Sequence, residues 1–108
     1  MENILFVNAC VRPESRTMQL AEYILDRLGG QVTEVNLEQE QIRPLNRERL
    51  EEREAVLAAG QDDAEILRYA NQFKNADTIV IAAPYWDLSF PAIVKNYLES
   101  VTVCGVTF

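Results

Sequence analysis

Residues 3 to 17 read NILFVNACVRPESRT: an apolar run, then a polar turn carrying a thiol, two arginines and two hydroxyls, then the start of a helical pattern. Asn3 to Ala9 is short, rich in branched and aromatic side chains, and stops at a polar loop, which predicts a buried strand. Beyond the turn, Leu20, Ile24, Leu25 and Leu28 recur at helical spacing, and Gly29-Gly30 closes the helix. Val32, Val35 and Leu37 predict a second, weaker strand, giving strand, helix and strand within 37 residues.

The same punctuation continues. Asn36 to Gly60 is highly charged, and Asn46 to Ala59 predicts a solvated helix capped by Asn46 and ending near Gly60. Asp62 or Asp63 would cap a further helix with Ile66, Leu67, Ala70 and Phe73 as its apolar stripe. Thr78 to Ala83, TIVIAA, is continuously apolar up to Pro84, which predicts a strand covered on both faces. After PYWDLSF, Pro91 suits a first helical turn, and Ile93, Val94, Tyr97, Leu98 and Val101 form another stripe. The order β-α-β-α-α-β-α implies an α/β fold, a parallel sheet flanked by helices and joined by right-handed crossovers. Ligands of such sheets lie beyond the carboxyl ends of the strands, here CVRPESRT and PYWDLSF.

At 108 residues the chain makes one domain, residues 1–108, and its 48% apolar and 25% charged content is that of a globular protein. A net charge of -7, with the arginines scattered, argues against nucleic acid and acidic membrane surfaces as partners. Ile4 to Val7 is too short and wrongly flanked for a signal peptide, and no run approaches a membrane span, so a cytoplasmic location is expected. With two distant cysteines and no histidine, neither a disulfide framework nor a Cys/His metal site is indicated.

The turn at Cys10 admits two chemistries. Cys10 and Arg16, with five residues between them and Thr17 following, fit the C-x5-R-[ST] pattern of cysteine phosphatases, and the match resembles their low-molecular-weight family, in which a thiolate attacks phosphorus. Pro13 removes an amide from such a cradle, Glu14 brings a carboxylate, and neither a glycine in the loop nor a downstream Asp-Pro pair is present. The alternative is a passive grip, in which Ser15, Thr17 and the first helical amides hold a phosphate monoester and Arg12 or Arg16 adds charge. Ser15 also suits a plain helix cap, and Cys10 a small apolar strand end. At the second loop, the neighbouring aromatics Tyr85 and Trp86 suit a planar ring lying across the crevice, or local packing on their own helix.

Residues 83 to 108, APYWDLSFPAIVKNYLESVTVCGVTF, resemble the flavodoxin-like NAD(P)H dehydrogenase (quinone) and FMN-dependent NADH-azoreductase family, which carries a proline, aromatics, P-A-x-x-K-x-Y-x-[ED] and G-V-T-F in this succession. NACVRPESRT resembles the family's phosphate-binding segment. The resemblance covers all 108 residues and implies a three-layer flavodoxin-like fold. It also implies FMN as cofactor, held by Arg12, Ser15, Arg16 and Thr17 at its phosphate and lined by Pro84, Tyr85, Trp86, Asp87 and Leu88 at its isoalloxazine. Asp87 stands where asparagine is common in the family, so a carboxylate would disfavour negative charge on the reduced ring. The partners implied are NAD(P)H and a quinone or azo acceptor, with hydride transfer through the flavin and no catalytic side chain required.

Such sheets are ordered 2-1-3-4-5, and the chain supplies the first three strands, in the order 2-1-3. The strand at 78–83 would then sit at an edge with a bare apolar flank, which implies self-association as a homo-oligomer. A flavin-free domain with an interaction or structural role is the second functional expectation, and the phosphatase the third.

Overall fold

The computed structural model describes residues 2–12, 14–85 and 90–108. Its centre is β1 (Asn3–Asn8), buried from Ile4 onward, which pairs in parallel with β2 (Gln31–Asn36) on one side and β3 (Thr78–Ala82) on the other. The sheet order is β2-β1-β3, as the resemblance implied. Side chains alternate across the strand, so Leu5, Val7 and Ala9 share one core cluster while Phe6 belongs to another.

Helix α1 (Arg16–Leu28) covers the Phe6 face. Ser15 caps it, its Oγ accepting from the Met18 amide at 3.1 Å, and Gly29 ends it at φ 67°, a left-handed conformation suited to a residue without Cβ. The next residue needs glycine for a different reason, since a Cβ at Gly30 would lie 2.6 Å from the Glu2 carbonyl oxygen. The face that packs differs from the stripe expected. Ala21 is buried, with Met18 and Leu25 against the same cluster, whereas Leu20, Ile24 and Leu28 are exposed. Two apolar stripes run along this helix, and the sheet takes the one with the small residue at its middle, where the helix can approach closely.

β2 stops at Asn36 rather than running through Leu37. The Asn36 carboxamide accepts from the Glu38 and Gln39 amides and starts the short helix α2 (Leu37–Glu40), whose first residue is buried in the core. Helix α3 (Arg47–Ala58) begins at Asn46, whose Oδ1 accepts from the Arg49 amide at 2.8 Å, and has no fully buried residue, in keeping with the solvated helix expected there.

Neither Asp62 nor Asp63 caps the following helix. The chain turns at Gln61–Ala64, where the Ala64 amide bonds to the Gln61 carbonyl, so the aspartates fall inside the turn. A single 3-10 turn (Glu65–Leu67) then leads into α4 (Arg68–Asn75), with Leu67 and Ala70 buried and Ile66 and Phe73 partly so.

β3 is half-buried rather than covered on both faces, with only Ala82 fully enclosed and Ile81 42% exposed, because its outer edge carries no strand partner among the described residues. Helix α5 (Ala92–Val101) follows Pro91 and turns Val94, Tyr97 and Val101 into the core beside α4, leaving Leu98 exposed. The closing G-V-T-F segment folds back on α5. The Thr107 hydroxyl donates to the Val101 carbonyl at 2.7 Å and accepts from the Val103 amide at 3.0 Å, while Val103 packs on Leu67 and Ala70. Among the described residues no helix is long and apolar enough to cross a membrane.

Candidate functional site

The carboxyl ends of β1 and β3 emerge side by side, because the two strands are parallel neighbours in register from Ile4 with Thr78 to Asn8 with Ala82. The Ala9 amide still bonds to the Ala82 carbonyl at 2.8 Å, so the two chains part only after that pair. The Cys10–Thr17 turn and the Pro84–Tyr85 segment therefore leave from one point of the sheet edge, and they enclose a cavity of about 460 Å3.

From the first turn, Cys10, Arg12, Glu14, Ser15, Arg16 and Thr17 line that cavity; from the second, Pro84 and Tyr85 do. Trp86, Asp87 and Leu88 lie outside the described residues. Six of the nine residues expected at a cofactor site thus border a single space.

The first turn is polar at its outer end and apolar at its root. Met18 and Gln19 give their amides to the Ser15 side chain and carbonyl, so the Arg16 and Thr17 amides are the ones at the open end of α1, where the helix dipole favours an anion. The Ser15 hydroxyl accepts from Met18 and keeps its own proton to donate. Arg12 and Arg16 are exposed and Thr17 is half-buried, so among the described residues of the lining two guanidinium groups accompany one carboxylate, that of Glu14.

Cys10 sits deeper. It is half-buried, packs with the Phe6, Ala21 and Ala82 cluster, and its Sγ lies 3.7 Å from the Ala82 carbonyl oxygen, the geometry of a thiol donating to a carbonyl. An attacking thiolate would need donors around the sulfur, and the neighbour here is an acceptor. On the opposite wall Tyr85 is 64% exposed and meets Phe90 edge to face, ring centroids 6.2 Å apart. The cavity thus brings hydroxyls, helix-start amides and two guanidinium groups together with an aromatic wall.

Two residues beneath the turn were not singled out from the sequence. Asn8 is 6% exposed; its Oδ1 accepts from the Cys10 amide at 2.9 Å and its Nδ2 donates to Glu34 Oε2 at 3.1 Å. The available signal was an amide side chain ending an otherwise apolar run, since a buried polar group needs partners.

A larger cavity of about 550 Å3 lies between the α2–α3 connection and α3, lined by Arg43 and Arg49 together with Glu48 and Glu52. Its charges offset one another and it has no aromatic wall, so it lacks both parts of the arrangement above. Among the described residues no group of three His, Cys, Asp or Glu is placed to hold a metal ion.

Residues 2–108 match the model of a family described as having a flavodoxin-like fold. The FMN-dependent NADH:quinone oxidoreductase 2 of Clostridium acetobutylicum is 36% identical over 115 residues, which cover 100% of this chain and 57% of that protein. The FMN-dependent NADH:quinone oxidoreductase of Coprothermobacter proteolyticus is 34% identical with the same coverage. Among solved structures, an azoreductase from Bacillus anthracis superposes with a TM-score of 0.78 at 26% identity, over 100% of this chain and 59% of that one. A B. anthracis FMN-dependent NADH-azoreductase in complex with FMN gives a TM-score of 0.77 at 20% identity, over 98% of this chain and 58% of that one, and at that identity supports the fold alone. The chain spans 57% of the length of the curated relatives named here.

Proposed function

Because the chain belongs to the family of flavodoxin-like fold, we propose that it works as an FMN-dependent NAD(P)H oxidoreductase of the quinone or azo reductase type. The cofactor would lie in the cavity between the Cys10–Thr17 turn and the Pro84–Tyr85 segment. The observation that carries this reading is the sharing of one cavity by the start of α1, with two hydroxyls and the Arg16 and Thr17 amides beyond the Ser15 cap, and an aromatic wall beside the neighbouring strand. Those residues fit a phosphate monoester joined to a planar ring, with Glu14 as the one acidic group among the described lining residues.

The chemistry that FMN supplies when bound is two-electron transfer, from a nicotinamide to a quinone or azo acceptor. The protein's residues bind and orient. The Arg16 and Thr17 amides, with the Ser15 and Thr17 hydroxyls, hold phosphate oxygens, and the Arg12 and Arg16 guanidinium groups offset the phosphate charge. Pro84 to Leu88 line the ring, with Tyr85 keeping water from one side. By its place in the sequence, Asp87 adds a negative charge near the ring. No side chain need move a proton, and the absence of histidine from the sequence is no obstacle.

Self-association, through the open edge of β3 and the exposed apolar stripe of α1, and a cytoplasmic location belong to the same reading. The same edge and stripe favour a second one, a flavin-free domain with an interaction or structural role. Incubating the purified protein with NADH and a quinone, with and without added FMN, separates the two. Turnover that requires FMN supports the oxidoreductase; no turnover under either condition overturns it.

A further inference from the structure

We propose that Asn8 is the positioning residue of the anion-binding turn, holding Cys10 through its carboxamide while Glu34 locks that carboxamide's orientation. This role rests on the reading that the turn grips the FMN phosphate.

Asn8 closes the buried central strand β1 and is itself 6% exposed, and an amide buried there costs free energy unless both its ends are bonded. Both are. The Cys10 backbone N–H, a donor only, points at Oδ1 from 2.9 Å, and the Glu34 carboxylate, an acceptor, receives Nδ2 at 3.1 Å. One orientation of the amide satisfies the pair and the reverse satisfies neither. Asn8 to Cys10 is an i to i+2 bond of the kind that closes an Asx turn, so it sets the direction in which the chain leaves the strand.

The other fixed point of the turn is Ser15 on the Met18 amide. Arg12 stands between the two and Arg16 directly after the second, and both line the cavity. Glu34 is exposed on β2, paired in register with Phe6 and so on the same face as Asn8. An ordinary surface carboxylate thereby becomes part of the support for the phosphate end of the cavity, without touching that cavity.

The chemistry requires a donor and an acceptor on one short side chain. Asn8→Asp keeps the acceptor for Cys10 and sets two carboxylates against each other. Adding Glu34→Gln restores complementarity, because the new amide donates to the new carboxylate. The readout is the ratio of FMN to riboflavin affinity, measured by flavin fluorescence quenching, since the two flavins differ only in the phosphate. A general loss of folding would weaken both flavins together and leave the ratio alone.

Wild-type protein is expected to prefer FMN. Asn8→Asp should cut that preference about tenfold, the scale of one charged hydrogen bond lost, with riboflavin binding unchanged. The double variant Asn8→Asp/Glu34→Gln should regain most of it. Should Asn8→Asp fail to fold, Glu34→Ala at its exposed position is expected to lower the preference about threefold by freeing the amide to turn over. An unchanged ratio in whichever single variant folds, or no recovery in the double variant where Asn8→Asp folds, overturns the positioning role. A wild-type protein that binds both flavins equally, or neither, overturns instead the reading of the cavity on which the role depends.

Discussion

The two faces of this sheet are built from the same kinds of residue and are covered to very different degrees. Toward α4 and α5, Leu5, Val7, Val35, Val94 and Val101 are each no more than 4% exposed, and Tyr97 is fully enclosed between Tyr69 and Phe73. Toward α1, Phe6, Ala21 and Ala82 form the closed cluster, with Ile4 and Asn8 buried on the same face of β1, while Leu20 keeps 60% of its surface in water and Ile24 39%. The difference arises from the number of helices on each side: two pack on the first face and one on the second. A lone helix can bury a single stripe, and α1 has two.

The contrast is broken most sharply by truncation. Phe6→Ala should cost about 3 to 5 kcal/mol, because the ring is enclosed and its cavity cannot collapse between strand and helix. Leu20→Ala, on the same side of the molecule, should stay within about 0.5 kcal/mol. Urea unfolding of the two variants measures both, and equal losses would mean that the α1 stripe is covered after all.

Alkaline pH gives the next largest effect and belongs to the other face. Burial first, and the neighbouring Tyr69 second, push the Tyr97 hydroxyl from its ordinary 10.0 up to about 12. Below pH 10 it is neutral folded and unfolded alike, and stability is untouched. Between 10 and about 12 the unfolded chain gives up the proton that the folded chain keeps, so stability falls as pH rises, by about 2 to 3 kcal/mol in all. Thermal unfolding across that range should show the decline in wild-type protein, and Tyr97→Phe should lessen it by that amount.

At neutral pH the same substitution should stabilise by about 1 kcal/mol, since the Tyr97 hydroxyl is buried without a hydrogen-bond partner among the described residues. A loss of stability on denaturant titration would reveal a partner for it. The smallest change in folding, within about 0.5 kcal/mol per site, is expected from Leu20→Glu with Ile24→Glu. Sedimentation is the sensitive probe there: wild-type protein should self-associate and the double variant should do so more weakly, and identical sedimentation would detach the α1 stripe from association.

Much of this architecture could be read from the letters. β1 announced itself as an unbroken apolar run ending at polar residues, and Gly29 marked the end of α1 through the left-handed turn it adopts. Asn46 was legible as a cap because its carboxamide does that task locally, without reference to the rest of the fold. Where tertiary packing chose between alternatives, the letters were silent. Periodicity finds a helix over Arg16–Leu28 but cannot say that Ala21, the smaller residue, faces the sheet. Leu37 looked like the end of a strand and became the first residue of a helix, because Asn36 had two amides to cap. Asp62 and Asp63 looked like caps, and an intervening turn displaced them.

The candidate site follows the same division. Arg12, Ser15, Arg16 and Thr17 could be grouped by their closeness in sequence, and their meeting with Pro84 and Tyr85 followed from parallel pairing of β1 with β3. The support from Asn8 and Glu34 could not, because it joins residues on different strands and depends on which way a side chain turns.

The central claim is that a helix start and an aromatic wall on adjacent strands hold one FMN between them. Titration of the wild-type protein with FMN, beside the Ser15→Ala/Thr17→Ala double variant, tests it most directly. The account predicts saturable quenching at one flavin per chain in the wild type and an affinity weaker by about 1 to 3 kcal/mol in the variant. Absence of quenching in the wild type, or equal dissociation constants for the two proteins, would contradict it.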